Sequence, residues 1–279
     1  MIAVLGGIGA ACCWAGALLT ASRATKLIAP PSVLAWVMLT GLVVVAPIAA
    51  AGGIPDGLGA SELGWLLVAG GANIAGLLFS YGALRVGKVS IVGPISSTEG
   101  AIAALLAIAA GETIGAGVGV TLCIVAAGVV LAAIQPGGAA GDPLRATLLA
   151  CGAAVCFGVG LYSTARVSEA LPIVWAVLPA RVLGVVAVAL PLIVSQRIRI
   201  TRAALPLVVA SGLFEIGGFT SFALGSRHGI AVAAVLASQF AAVAAVAAYV
   251  LFHERLTRLQ LTGVVVIVLG VAVLTGLQA

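Results

Sequence analysis

The 279-residue chain is 63% hydrophobic and only 8% charged, with a mean hydropathy of +1.30. A soluble domain carries roughly 25% charged residues to wet its surface, and 13 Lys and Arg with 8 Asp and Glu cannot do that here. A soluble enzyme, a disordered chain and a nucleic-acid module are excluded; what remains is an all-α, polytopic membrane protein. The net charge of +5 is spread singly between apolar runs, so it bears on topology and not on nucleic acid. The 37 glycines, among many Ala and Val, fit helices whose backbones approach closely.

A spanning helix needs about 20 apolar residues. Taken in order, the chain offers ten such runs, near 2–21, 32–51, 62–84, 89–110, 113–135, 145–164, 173–195, 204–224, 229–252 and 257–277. The first lacks a basic leader and a small-residue cleavage site, so it reads as a retained helix. A turn follows the second run at Gly52-Gly53-Ile54-Pro55-Asp56-Gly57. Barrel strands of alternating polarity are not visible. The longest break, Pro136 to Pro143, divides the runs five and five. It separates a first unit at 1–137 from a second at 144–279, with 138–143 as linker.

The two units repeat one another. A shift of 142 lays Gly87–Glu112 on Gly229–Glu254 without a gap, placing Ser96 on Ser238, and it lays Gly128 on Gly270. In the first helices a shift of 143 lays Cys13-Trp14 on Cys156-Phe157 and Arg23 on Arg166. Five helices is an odd number, so the second unit enters from the opposite face. The expectation is an inverted repeat of two five-helix units, an arrangement that recurs in secondary transporters. Odd-numbered loops hold most of the Lys and Arg, among them Arg23, Lys26, Arg85, Lys88 and Arg145. The positive-inside rule puts those loops in the cytoplasm and both termini outside.

The five cysteines, Cys12, Cys13, Cys123, Cys151 and Cys156, lie in apolar runs without a CxxC pair and read as small buried hydrophobes. His228 and His253 sit at helix ends, far from any Cys or Asp cluster, so no metal site is expected. No HExxH, GxSxG, Asp-rich or Walker A motif occurs, so neither an enzyme nor an ATP-driven pump is expected, and no cofactor.

Three ionisable residues fall well inside spans: Glu99, Arg181 and Glu215. A mid-span charge costs about 2.5–3.5 kcal/mol on insertion scales, so each should face the bundle interior, pair, or lose its charge. Glu99 is placed mid-helix in the fourth span, with Ser96 one turn earlier and Pro94 bending the helix below it. It is a contact for a substrate amine, a proton-coupling carboxyl, or a protonated acid holding two helices together. Glu215, in the eighth span, shares a face with Ser211, Gly218, Phe219 and Phe222 and falls on Asn73 of the third span by the repeat. Arg181 needs a carboxylate, from Glu215, from Glu99 or from the substrate. Pro179, two residues before it, predicts a local break. Further candidate substrate contacts are Asn73, Ser80 and Tyr81 on one face of the third span, Ser96, and Gln239 with Ser238 in the ninth. Trp14, Tyr162 and Trp175 line an apolar wall, anchor at interfaces or simply pack.

The pattern resembles the drug/metabolite transporter superfamily, in particular its bacterial EamA-type exporters. Cys13-Trp14-Ala15-Gly16-Ala17 resembles that family's Trp- and Gly-rich opening, and Pro179-Ala180-Arg181 its Leu-Arg motif. Gly111-Glu112-Thr113 and His253-Glu254-Arg255-Leu256-Thr257 resemble its Gly-Glu-Arg-Leu-Thr turn, once per unit. Three departures are Met38-Leu39 where the family often has Arg, His253 in place of Gly, and the acidic loop with Asp56 and Glu62. The resemblance implies ten helices around a central cavity between the halves, with the fifth and tenth more peripheral. It also implies outward movement of amino acids, other small metabolites or drugs across a bacterial inner membrane. With the mixed charges at mid-depth, the expectation is a carrier exporting small zwitterions, foremost amino acids. A multidrug exporter of cationic or apolar drugs is the alternative. The expected partners are the small-molecule substrate and the lipid bilayer, without nucleic acid, and the chain is expected to act as a monomer.

Overall fold

The structure is a computed structural model and describes residues 1–86, 92, 95–133, 143–252 and 258–277. The expected bend at Pro94, the acidic turn at His253–Thr257 and the stretch from Pro136 to Asp142 lie outside the described residues. Every regular element among the described residues is helical. The helices are α1 (Ile2–Leu27), α2 (Pro30–Gly52), α3 (Ala60–Val86), α4 (Glu99–Ala109), α5 (Ala116–Ala133), α6 (Pro143–Ala170), α7 (Ile173–Gly184), α8 (Leu190–Val194), α9 (Leu205–Ser226), α10 (Ile230–Ala237), α11 (Phe240–Phe252) and α12 (Arg258–Leu277). Six stretches among the described residues are long and apolar enough to cross a membrane: α1, α2, α3, most of α6, the run Ile173–Val194 and α9. The chain is a multi-pass membrane protein.

Several ends and breaks differ from the sequence expectation. α1 runs six residues past its apolar core, through Arg23 and Lys26, and α6 likewise continues through Arg166 and Glu169. Long charged side chains at a helix end reach the interface with the backbone still helical, so charge alone does not end the helix. Pro179 does not break its helix. α7 continues to Gly184, and the irregularity comes lower, as a π-helical turn at Val185–Ala189 where Leu190 N–H reaches the Val185 carbonyl. Pro191 follows in the first turn of α8 and supplies no N–H, so the α register cannot pass through it unbroken.

The expected fourth and ninth spans are each interrupted near the middle. Helical residues Ile95 and Ser96 give way to a turn at Ser97-Thr98 before α4, and α10 and α11 are separated by a turn at Ser238-Gln239. Hydroxyls compete for the carbonyls there: Thr98 Oγ1 donates to Ile95 O at 2.7 Å and Ser238 Oγ to Val235 O at 2.8 Å. Glu99 therefore opens a helix and does not stand in the middle of one.

The helices of one half pack chiefly on those of the other. α1 lies along α9 and α3 along α6; α2 meets α7 and α9, while α7 also meets α3. α4 packs on α6 and α10, α1 on α10 and α11, and α5 on α12. This set of pairings is unchanged when α1 is exchanged with α6, α2 with α7, α3 with α9, α4 with α10–α11 and α5 with α12. Small residues make the crossings close. A Cβ on Gly6 would stand 2.5 Å from the Gly225 Cα, and one on Gly100 would strike the Ala234 carbonyl and the Ser238 hydroxyl. The cysteines are not core residues: Cys12, Cys123 and Cys151 are exposed and Cys13 and Cys156 half-buried. In a membrane protein an apolar surface meets lipid tails, so hydrophobicity does not imply burial.

Beyond the end of α4, Glu112 accepts the Ala231 N–H on both carboxylate oxygens at 3.3 Å and so caps the first turn of α10. Burial pushes this carboxyl above its ordinary range, the backbone N–H groups of Ala231 and Ile230 draw it down, and Glu169 adds to the rise. A carboxyl raised in the folded state contributes stability that is complete below its unfolded value and is lost as pH climbs through the folded one. The unfolding midpoint of the wild type in detergent should therefore fall relative to Glu112→Gln as the pH is raised from about 4 through the folded value; parallel profiles would refute this. Gly6→Leu should cost about 1–3 kcal/mol through overpacking of the α1–α9 crossing. Gly64→Ala, where no atom lies within 4 Å of the added Cβ, should not lower the midpoint and should stabilise by roughly 0.5–1 kcal/mol through helix propensity.

Candidate functional site

Between the halves lies a partly open cavity of about 80 Å³, smaller than the roughly 300–1,000 Å³ usual for small-molecule sites. α1 supplies Trp14, Ala17, Leu18 and Ala21, and α3 supplies Asn73, Leu77, Ser80, Tyr81 and Leu84. Val92, Ser96 and Glu99 come from the interrupted helix, Phe157, Gly160 and Leu161 from α6, Glu215 and Phe219 from α9, and Phe240 from α11. Most of the floor consists of repeat mates. Trp14 and Phe157, Ala17 and Gly160, and Leu18 and Leu161 are related by the 143 shift; Asn73 and Glu215, and Leu77 and Phe219, by the 142 shift. Ala21, Ser80, Tyr81 and Leu84 line it without their mates, so the cavity extends toward the C-terminal ends of α1 and α3.

The polar groups on this wall are buried and incompletely used. Trp14 Nε1, Asn73 Oδ1 and Ser96 Oγ have no hydrogen-bond partner among the described residues. Their residues are 8%, 4% and 4% exposed, where an unpaired polar atom costs about 1–3 kcal/mol. Glu99, 4% exposed, has no ion-pair partner among the described residues. Its carboxyl reaches the cavity because the turn at Ser97-Thr98 starts a new helix there, and because Gly100 lets that helix sit against α10.

Glu215 is paired. Arg181 donates from Nη2 to its Oε2 at 3.3 Å, from Nη1 to Met38 Sδ at 3.5 Å, and its guanidinium carbon stands 5.5 Å from the Phe219 ring centre. Arg181 is fully buried and its Nε has no partner among the described residues. Gly41 makes room for its side chain. Phe219 meets Trp14 edge to face, with centroids 5.2 Å apart. Trp14 fits because Gly218 has no Cβ to strike the indole.

Of the residues singled out from sequence, Trp14, Asn73, Tyr81, Ser96, Glu99 and Glu215 share one cavity. Arg181 stands behind Glu215 and is not on the cavity wall. Gln239 is also off the wall, at the helix interruption, buried with both amide atoms unpartnered among the described residues. Phe157 and Phe240 were not foreseen. Phe157 was legible as the repeat mate of Trp14; Phe240 carries no local signal, since its mate is Thr98. Tyr162 lines a second, more polar cavity at the opposite ends of the helices, with Glu112, Arg166, Glu169 and Arg227.

The Arg181–Glu215 pair lends itself to a double-mutant cycle. Arg181→Met alone should cost about 3–5 kcal/mol because it leaves a buried carboxylate unpaired. Arg181→Met with Glu215→Gln should cost clearly less than the sum of the two single changes. Additive losses of detergent stability would show that the contact is not an energetic pair.

A solved crystal structure superposes on the chain with a TM-score of 0.79, at 20% sequence identity, covering 99% of this chain and 96% of that one, which shows a shared fold. No curated protein sequence matches the chain. Residues 1–134 and 144–276 each match the EamA-like transporter family. The two matches cover nearly the whole sequence, one per half, and the chain belongs to the EamA-like transporter family, a membrane transporter family of the drug/metabolite transporter superfamily.

Proposed function

We propose that the protein is a secondary carrier exporting small amine-bearing metabolites, amino acids foremost, across a bacterial inner membrane. In this reading ten crossings form two inverted five-helix repeats, 1–137 and 144–279, joined by 138–143. The two family matches and the unchanged pairing of helices on exchange of the halves support it. So do the two interrupted helices, because non-helical backbone at membrane depth is tolerated where it is buried in protein or lines a cavity. The positive-inside count orients the loops with Arg23, Lys26 and Arg85 to the cytoplasm, the side toward which the cavity extends. The protein acts as a monomer in this reading, with residues from both halves of one chain lining the cavity.

One observation carries the substrate class: a buried carboxyl without an ion-pair partner among the described residues, Glu99, faces a cavity in which Trp14 Nε1, Asn73 Oδ1 and Ser96 Oγ also lack a hydrogen-bond partner among those residues. An ammonium neutralises Glu99. The carboxylate end of a zwitterion takes neutral donors, Trp14 Nε1 and the hydroxyls of Ser96 and Tyr81, because Arg181 is already held by Glu215. Arg181 is thus a positioning residue that keeps Glu215 in place.

The aromatic lining favours a second reading. Trp14, Tyr81, Phe157, Phe219 and Phe240 give the wall five rings, which suits lipophilic cations as well. The two readings differ in whether the ligand needs a carboxylate.

Purified protein in liposomes, tested with radiolabelled amino acids one by one and with and without a pH gradient, should give saturable flux for at least one of them. Glu99→Gln should weaken its apparent affinity by roughly ten- to a hundredfold, the worth of a charge-assisted hydrogen bond. Flux of organic cations alone, with no amino acid moved by folded protein, would overturn the zwitterion reading in favour of the second.

A further inference from the structure

At one end of the molecule the last turns of α6 and α9 are tied together. Arg227, just past α9, donates from Nε to the Ser168 carbonyl and from Nη2 to the Leu171 carbonyl, the latter at 2.8 Å. The hydroxyls of Ser168 and Ser226 lie 3.2 Å apart beside this contact. Carbonyls in the last turn of a helix lack intrahelical partners and carry the negative end of its dipole. A guanidinium, always charged and rich in donors, suits two of them at once.

The repeat carries this device to the other end. The 142 shift takes Arg227 to Arg85, just before the end of α3, and the 143 shift takes Ser168 to Thr25 and Leu171 to Ile28. The two receiving helix ends are built alike. The Ser168 hydroxyl donates to Ala165 O and the Thr25 hydroxyl to Ser22 O, three residues back in each case. Leu171 N–H bonds Val167 O, and Ile28 N–H bonds Ala24 O. Yet Arg85 is exposed and makes no hydrogen bond or ion pair with the described residues. No packing comparable to that of α6 on α9 joins α1 to α3, and the cavity extends between those two helices as far as Ala21 and Leu84.

We propose that Arg227 and Arg85 are alternate latches of two gates. Arg227 holds the α6–α9 end shut in the conformation described. Arg85 takes the carbonyls of Thr25 and Ile28 when the α1–α3 end closes and the α6–α9 end opens. The proposal rests on the carrier reading with two related halves. It adds that each half supplies one arginine to its own gate and that the two are engaged in turn.

The test uses the full chain in detergent, its five native cysteines replaced by alanine, with a single reporter cysteine labelled by a water-soluble maleimide. Ala21→Cys reports the cavity, and Ala107→Cys, which lines the second cavity, reports the opposite end. Arg227→Gln should slow labelling of the Ala21 reporter and speed that of the Ala107 reporter, by roughly tenfold for the loss of charge-assisted bonds. Arg85→Gln should do the reverse, slowing the Ala107 reporter by a similar factor. Unchanged rates at both reporters, or shifts of the same sign in both variants, would overturn the latch. Arg85 has no partner to lose among the described residues, so Arg85→Gln decides alone if Arg227→Gln does not fold. Opposed shifts without wild-type flux would sink the transport reading and leave the latches standing; flux with unmoved labelling would do the opposite.

Discussion

Hydrocarbon offers a backbone amide or a carboxylate no partner, and this constraint runs through the whole molecule. It makes the described elements helices, because only a helix satisfies its own backbone along a span. It also decides where helices can be broken. The turns at Ser97-Thr98 and Ser238-Gln239 lie in the protein interior, where their backbone groups bond within their own segments, Thr98 N–H to Ile95 O and Gln239 N–H to Leu236 O. Glu99, Arg181 and Glu215 are likewise buried and not turned to lipid, although the chain exposes large apolar side chains from Leu5 to Leu277.

Within that interior the charges are not equivalent. Arg181 and Glu215 meet each other, with the thioether of Met38 and the Phe219 ring completing the guanidinium's surroundings. Taking two charges out of water is costly and their attraction returns much of the cost, so such a pair fixes geometry more than it adds stability. Its consequence for the cavity is electrostatic. With Glu215 neutralised from behind, Glu99 is the carboxylate left for a ligand, and the wall around it mixes five aromatic rings with unused polar atoms. Small residues complete the arrangement: Gly41, Gly100 and Gly218 stand where a Cβ would displace Arg181, the α10 backbone or Trp14.

The repeated halves explain both the shape of the cavity and its offset. Mates such as Trp14 and Phe157, or Asn73 and Glu215, line the same cavity. Were the halves in identical conformations, the cavity would extend equally both ways. It does not: α6 and α9 are bonded at their C-terminal ends, while no bond between α1 and α3 is found among the described residues.

Much of this was legible in residues alone. Composition set the solvent, since 8% charge cannot clothe a soluble domain. The runs located the long helices, and the rarity of buried charge picked out Glu99, Arg181 and Glu215, because a costly residue inside a span has few reasons to be there. The register of the halves paired Asn73 with Glu215. Other features were not legible. Pro179 looked like a break and is not one, whereas Ser238-Gln239 breaks a helix with no proline at all, because hydroxyl back-bonding and packing against Gly100 outweigh local propensity. The cysteines looked buried because apolar character does not distinguish the core from the lipid face. Which carboxylate Arg181 would take, and that Phe157 and Phe240 would join Trp14 around one space, were decided by helices far apart in sequence. Local chemistry determines which groups must find partners in a membrane; only the tertiary packing determines which partners they find, because that depends on distances between helices that no single helix encodes.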